Sequence, residues 1–305
     1  MICLLFSLRR LLTAISFAEM GICMNKIKVT FFDKQLLKQF GAVVSMFSVT
    51  LSLVVIFTDI LEKSKPCLGY GFITLLIVSY IVMWLWANKL LHRKIRINNS
   101  IVEIKLGDIF GESGLKAIAF NEYFDTEVDE DGTVIASNSL NGMFIEQKVD
   151  SIGELNSLIK DSILEERIVD AQCIRKHGKT VKYKLGSIVL YKREYLLTAF
   201  SRFDDYNKAY LSMSDYLEFL LQFWSEVDRV YAGRSVIIPL FGSGLTRFHG
   251  YDTINDQELL EILIWSFKIS RIKFTYPAQV TILIHPDKKD KINFYDLKGG
   301  NCSVL

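Results

Sequence analysis

Two long stretches of this 305-residue chain lack acid, base and histidine altogether: Gln39 to Thr58, and Pro66 to Asn88. Each is long enough for the roughly 20 helical residues that a bilayer core requires, which argues against a purely water-soluble protein. Proline is scarce, at 4 residues, and with 12% aromatic side chains the composition excludes low-complexity disorder. Cysteine is sparse and follows no pattern. Cys3, Cys23, Cys67, Cys173 and Cys302 are odd in number and lack CxxC or His-paired spacing, which argues against a zinc clamp or a disulfide scaffold and fits a reducing compartment. Charge of one sign is lacking too: a formal net charge of +2 does not supply the strongly basic face that nucleic acid demands. Before Met24, Arg9 and Arg10 follow the apolar run rather than precede it, the reverse of a secretory signal. An over-extended gene start, with Met24 opening the chain, is favoured there over a short amphipathic anchor.

The apolar stretches read as a hairpin, Phe40 to Ile60 and Cys67 to Leu90, joined by a linker too short for a folded outside domain. The expected organisation is an N-terminal segment over 1–38, a two-span transmembrane hairpin over 39–92 and a folded domain over 95–305. Lys26, Lys28, Lys34 and Lys38 precede the first span, and Lys89, Arg93, Lys94 and Arg96 follow the second. The positive-inside rule therefore predicts a multi-pass protein of the inner membrane with both termini in the cytoplasm. Tyr70, Trp84 and Trp86 sit where interfacial aromatic belts are expected. Gly41, Ser45, Ser48 and Ser52 recur at steps of four, three and four, a small-residue stripe that serves close helix contact, within the hairpin or between chains. Between Gln39 and Thr58 and between Pro66 and Asn88 there is no Asp, Glu, Lys or Arg, so a charged relay is absent from the span interiors and any pore must be built by assembly.

Beyond Ile95 the pattern changes to short β-rich runs alternating with helices, the signature of one α/β domain. Strands are predicted at Ser100 to Leu106, Lys116 to Asn121, Gly186 to Leu190, Tyr195 to Phe200, Ser235 to Phe241 and Gln279 to Ile284. Ser151 and Glu154 form a capping box opening a helix to about Glu166. A second helix carries Leu217, Leu220, Leu221, Trp224, Val227 and Tyr231 on one face and stops at Gly233. A third opens at Asn255 and presents Leu259, Leu260, Leu263, Ile264 and Phe267.

The segment Ser235 to Phe241 runs into Gly242-Ser243-Gly244-Leu245-Thr246-Arg247. Glycines let backbone amides approach phosphate oxygens, hydroxyls add donors and Arg247 supplies charge. The same pattern also serves as an ordinary turn after a buried strand. GxGxxG and GxxxxGK[ST] are both missing, which argues against dinucleotide oxidoreductase and P-loop chemistry.

Val102-Glu103-Ile104-Lys105-Leu106-Gly107-Asp108-Ile109 resembles the opening strand and GDI turn of macro domains, and Ile238-Pro239-Leu240-Phe241-Gly242-Ser243-Gly244-Leu245 resembles their late phosphate loop. Phe120 to Thr126, Ser139 to Gly142, Tyr195 to Ser201 and Gly242 to Arg247 resemble, more narrowly, the macro domain of the ThsA effectors of Thoeris antiphage systems in which a two-span hairpin precedes it. The resemblance implies a membrane α-helical hairpin plus an α/β macro domain, a mixed central sheet flanked by helices. It also implies a ligand built on ADP-ribose: Asp108 would accept from the adenine amine, Ile109 would offer its backbone, and Gly242, Ser243, Gly244, Leu245, Thr246 and Arg247 would hold the pyrophosphate and distal ribose. Asn121 and Gly142 match the remaining binding positions.

Departures from catalytic macro domains are informative. Of their paired asparagines only Asn121 is matched, with Phe124 at the second position, and of their glycine run only Gly142 remains. His177, His249 and His285 show no partner spacing for acid/base work. The expectation is therefore a receptor rather than an ADP-ribosyl hydrolase, with no catalytic residue, metal or cofactor. The implied ligand is an ADP-ribose derivative, histidine-ADP-ribose, made by a TIR-domain partner. The implied response is homo-oligomerisation, disruption of the lipid bilayer and abortive infection.

Overall fold

The computed structural model describes residues 27–57, 65–129, 133–163, 165–250 and 254–297. The expectations for Met1 to Cys23 and for Met24, most of the linker after the first span, and Cys3, Cys23 and Cys302 lie outside them. The chain divides into two compact units between Leu90 and Leu91.

In the first unit, helix α1 (Lys34–Phe57) and helix α2 (Lys65–Lys89) are each long and apolar enough to cross a bilayer. Asp33 caps α1, its carboxylate accepting from the amides of Gln35 and Leu36 at 2.9 Å each. Almost nothing in the two helices is buried within the chain: Leu36, Tyr80 and Ala87 are the buried apolar side chains of α1 and α2 among the described residues. On the small-residue stripe, Gly41, Ser45 and Ser52 are exposed, so the chain does not use it for packing within its own hairpin.

The second unit begins earlier than Ile95. Strand β1 (His92–Ile97) pairs antiparallel with β2 (Ser100–Leu106), because His92 and Lys94 reach Glu103 of β2 at 2.7 and 3.4 Å and hold the two strands together. The remaining strands of the main sheet are β3 (Leu115–Asn121), β8 (Ile188–Tyr191), β9 (Tyr195–Phe203), β10 (Ala209–Leu211), β11 (Val236–Pro239), β12 (Arg247–Phe248) and β13 (Val280–Ile284). Two short ribbons stand apart, β4 (Val128–Asp129) with β5 (Ile135–Ala136), and β6 (Ile168–Asp170) with β7 (Lys182–Tyr183). Among the described residues the sheet order is β1-β2-β13-β11-β3-β9-β10-β12, with β8 also on β9. β2, β13, β11, β3 and β9 run parallel, so their carboxyl ends share one edge. Helices cover both faces of the sheet, which suits the nearly continuous apolar sequences of β11 and β13, whereas β2 alternates.

One face is covered by α3 (Leu140–Lys148) and α4 (Ile152–Ser162). Their Phe144, Ile145, Leu155 and Ile159 join Ile118 and Phe120 of β3 and Leu197 and Ala199 of β9 in one buried cluster. The sequence pattern had not marked α3 as a helix, and α4 ends at Ser162 instead of near Glu166. Its Ser151 hydroxyl accepts from the Glu154 amide at 3.3 Å. The other face carries α5 (Met213–Val230) and α6 (Asp256–Ser270), each opened by a complete capping box, Ser212 with Asp215 and Asn255 with Glu258. The buried face of α5 is richer in aromatics than the leucine count suggested: Tyr216, Phe219, Phe223 and Trp224 are buried, whereas Leu221 is exposed. Trp224 completes its burial by donating to Ser266 Oγ of α6 at 2.9 Å.

Phe144 is fully buried, with its ring 4.9 Å from that of Tyr195 and 6.1 Å from that of Phe120. Phe144→Ala is expected to lower stability by about 3–5 kcal/mol, read from heat or urea unfolding of the detergent-solubilised chain.

Candidate functional site at the carboxyl edge of the sheet

In parallel α/β sheets, ligands bind outside the carboxyl ends of the strands. At this edge β2 ends in Gly107 and Asp108. The Asp108 carboxylate accepts from the Phe110 amide at 3.1 Å, capping a short 3-10 turn, and its side chain is otherwise exposed. Ile109 is buried beneath it. β11 ends in the loop 242–247. Gly242 holds φ +85, and an added Cβ would stand 2.8 Å from the ring of Phe248, so both conformation and space demand glycine. The amides of Gly244 and Leu245 meet no acceptor among the described residues, and both residues are exposed. Ser243 donates its amide to Leu240 O at 3.3 Å, and Thr246 leads into β12. Arg247 pairs with Tyr210 of β10, is exposed, and forms no ion pair among the described residues. Only β13 separates β2 from β11, so the carboxyl ends of those two strands stand about 10 Å apart, two strand spacings.

Two predicted binding residues reach this region with their polar atoms already engaged. Asn121 ends β3, but its Oδ1 accepts from the amides of Tyr123 and Asp125 and its Nδ2 donates to Asp125 at 2.9 Å. Gly142 lies in the first turn of α3, where its amide donates to Ser139 Oγ at 3.0 Å and an added Cβ would be 2.3 Å from Ala136 O. It is a glycine of close packing. Its neighbour Asn141, which sequence reading passed over, keeps a buried Oδ1 without a partner among the described residues.

The sequence also gave no signal of two buried carboxylates after β3. Asp125 is fully buried and receives Arg175 Nη2 at 2.8 Å, Arg175 Nη1 at 3.2 Å and the Lys179 amide at 2.6 Å. The Arg175 guanidinium lies 3.8 Å from the ring centroid of Tyr123 and donates to Asn207 Oδ1 at 2.7 Å. Lys179 donates to Phe124 O, and burial holds its ammonium down at about 8, opposed by the Asp125 charge. Glu122, also fully buried, meets Lys182 and Arg202 at 3.2 Å each. Arg202 continues to Asp215 at 2.7 Å. These partners are 50 to 80 residues apart along the chain for Asp125–Arg175 and Glu122–Arg202, a separation that no local periodicity reports. Phe124, at the second asparagine position, holds φ +50 and is fully buried between Phe120 and Tyr183.

The histidines do not converge. His177 is exposed, His249 stacks on Tyr210 at 4.6 Å, His285 lies 3.5 Å from Asp287, and His92 belongs to the β1–β2 pair. An open cleft of about 620 Å³ runs beside Asp125, Ile145, Asn156 and Lys179; none of the predicted binding residues lines it.

A family described as "Thoeris protein ThsA, Macro domain" matches residues 102–285. Thoeris protein ThsA of Bacillus amyloliquefaciens (strain Y2) is 37% identical over 287 residues, covering 92% of this chain and 94% of the relative. The chain belongs to the Thoeris ThsA family. Its second unit is accordingly a macro domain, preceded by two apolar helices of spanning length. Among solved structures, an Oceanobacillus iheyensis macrodomain variant aligns with a TM-score of 0.43 at 12% identity, over 67% of this chain and 89% of its own. A structure of that macrodomain with ADP aligns with a TM-score of 0.37 at 14% identity, over 67% and 92%.

Burial raises the Asp215 carboxyl, but Arg202 and the Ser212 hydroxyl and amide outweigh it and hold the group at about 2. A carboxyl lowered on folding stabilises above its unfolded value near 3.9 and loses that contribution as pH falls towards 2. Asp215→Asn should therefore reduce stability at neutral pH and flatten the loss between about pH 4 and 2, checked by unfolding midpoints across that range.

Proposed function

We propose that this ThsA family member is a membrane-anchored antiphage effector whose macro domain binds an ADP-ribose-derived messenger, histidine-ADP-ribose, made by a TIR-domain partner. Binding drives homo-oligomerisation and bilayer disruption at the inner membrane, and the infected cell is sacrificed. The observation that carries the reading is the placement of exposed Asp108 and of exposed Gly244 and Leu245, whose amides have no acceptor among the described residues, after the carboxyl ends of two parallel strands about 10 Å apart. That spacing suits an adenine at one end and a diphosphate at the other. A carboxylate reads an exocyclic amine, while converging amides and Arg247 match a diphosphate.

Two features favour a receptor over a hydrolase. Buried Phe124 offers no amide to orient water, and the Asn121 side chain is tied into the loop that it caps. The ADP-ribose chemistry itself is supported by family membership and by the edge geometry. Basic residues flanking both apolar helices support cytoplasmic termini. On the stripe of Gly41, Ser45, Ser48 and Ser52, Ser48 is partly covered and the other three are exposed and available for contact between copies in lipid, where small residues favour close approach. A messenger shifts a resting population of 99:1 to 1:99 only if it binds the assembled state about 5.5 kcal/mol better.

Calorimetric titration of the detergent-solubilised chain with ADP-ribose, NAD and histidine-ADP-ribose tests the reading. The conjugate should bind tightest, and Asp108→Ala or Arg247→Ala should each weaken it about tenfold or more, roughly 1.4 kcal/mol. Equal weak binding of all three, unaffected by both substitutions, overturns it. Asn121→Ala should act chiefly on unfolding temperature, because its side chain serves the fold.

A further inference from the structure

The segment just before the first span is held by the second span through side chains spaced one helical turn apart. Tyr80, Trp84 and Asn88 fall at i, i+4 and i+8 of α2, on one face. Each directs its polar atom at the backbone of residues 28–31. Asn88 Oδ1 accepts from the amides of Lys28 at 2.8 Å and Val29 at 2.9 Å. Trp84 Nε1 donates to Val29 O at 3.0 Å, and the Tyr80 hydroxyl donates to Phe31 O. Phe31 stacks edge-on against Tyr80 and Trp84 at 5.0 and 5.5 Å, and Val29 is buried.

The grip has a specific physical reason. Irregular backbone that lies within the hydrocarbon region must find partners inside the protein, because lipid tails offer none. Three α2 side chains supply partners for two amides and two carbonyls of this segment. Elsewhere the hairpin buries little of itself, so this contact is where the first unit is fastened.

We propose that residues 27–33 form an autoinhibitory strap, clasped by Tyr80, Trp84 and Asn88, whose release is the step that frees the two spans to assemble. The inference rests on the effector reading for the consequence of release; the clasp itself can be tested without any messenger. While clasped, α1 is tethered beside the carboxyl end of α2 through the seven-residue strap that ends at its cap, Asp33. Once released, its exposed stripe can turn towards another copy.

The test uses the full chain, with the native cysteines replaced and Val29→Cys as a reporter, in vesicles of phosphatidylethanolamine and phosphatidylglycerol. Maleimide labelling measures strap opening and dye release measures membrane damage. Asn88→Leu removes the acceptor and should speed labelling at least tenfold and release dye without nucleotide. Asn88→Asp keeps an oxygen facing both amides and should stay closed. Tyr80→Phe preserves the ring and should open the strap by a smaller factor of the same sign. Equal labelling of parent, Asn88→Leu and Tyr80→Phe overturns the clasp, and faster labelling of Asn88→Leu and Tyr80→Phe without dye release overturns its role as a brake. If both variants leak while histidine-ADP-ribose leaves the parent chain silent, the strap stands and the messenger assignment falls.

Discussion

The macro domain depends on the pairing of two carboxylates that water cannot reach. Glu122 and Asp125 follow β3 at the functional edge with no exposed surface, and an unpaired charge at such a position would cost several kcal/mol. Arg175 answers Asp125 by lying across Tyr123 and bonding to Asn207, while Arg202 and Lys182 answer Glu122. Segments from the β6–β7 arm, β9 and the β9–β10 turn are thereby gathered around one strand end. Replacing such pairs by apolar groups of equal volume is often neutral in stability, so their contribution here is arrangement: a single disposition of loops around the edge.

That arrangement decides which predicted residues remain available. Asn121 is used inside the network because Asp125 needs a further donor and two loop amides need an acceptor. Phe124 turns inward to fill the space between Phe120 and Tyr183. The opposite part of the edge is left open, with Asp108 and the 242–247 loop facing solvent and Arg247 unpaired among the described residues.

The membrane unit follows a different logic. Apolar burial gives no net drive between helices in lipid, so hydrogen bonds and small residues must hold or release them. Polar α2 side chains clasp the pre-span backbone, whereas the small residues of α1 remain uncovered in the single chain.

The sequence by itself determined the two apolar helices, since charge-free runs of that length and basic flanks are properties of composition. It also determined the α/β alternation, the caps at Ser151 and Asn255, and the glycine loop after β11, because periodicity, caps and turns act over a few residues. It missed α3, whose weakly periodic residues become helical through the packing of Phe144 and Ile145 on β3. It placed the start of the domain too late, because β1 is stabilised by a partner strand and by Glu103. Only the tertiary structure decided that the Asn121 side chain bonds to Tyr123 and Asp125, that Gly142 packs against Ala136, that Asp125 meets Arg175, and that residues 28–31 are clasped by Tyr80, Trp84 and Asn88. The first two depend on burial and the last two join groups 49 to 60 residues apart, neither of which local pattern encodes.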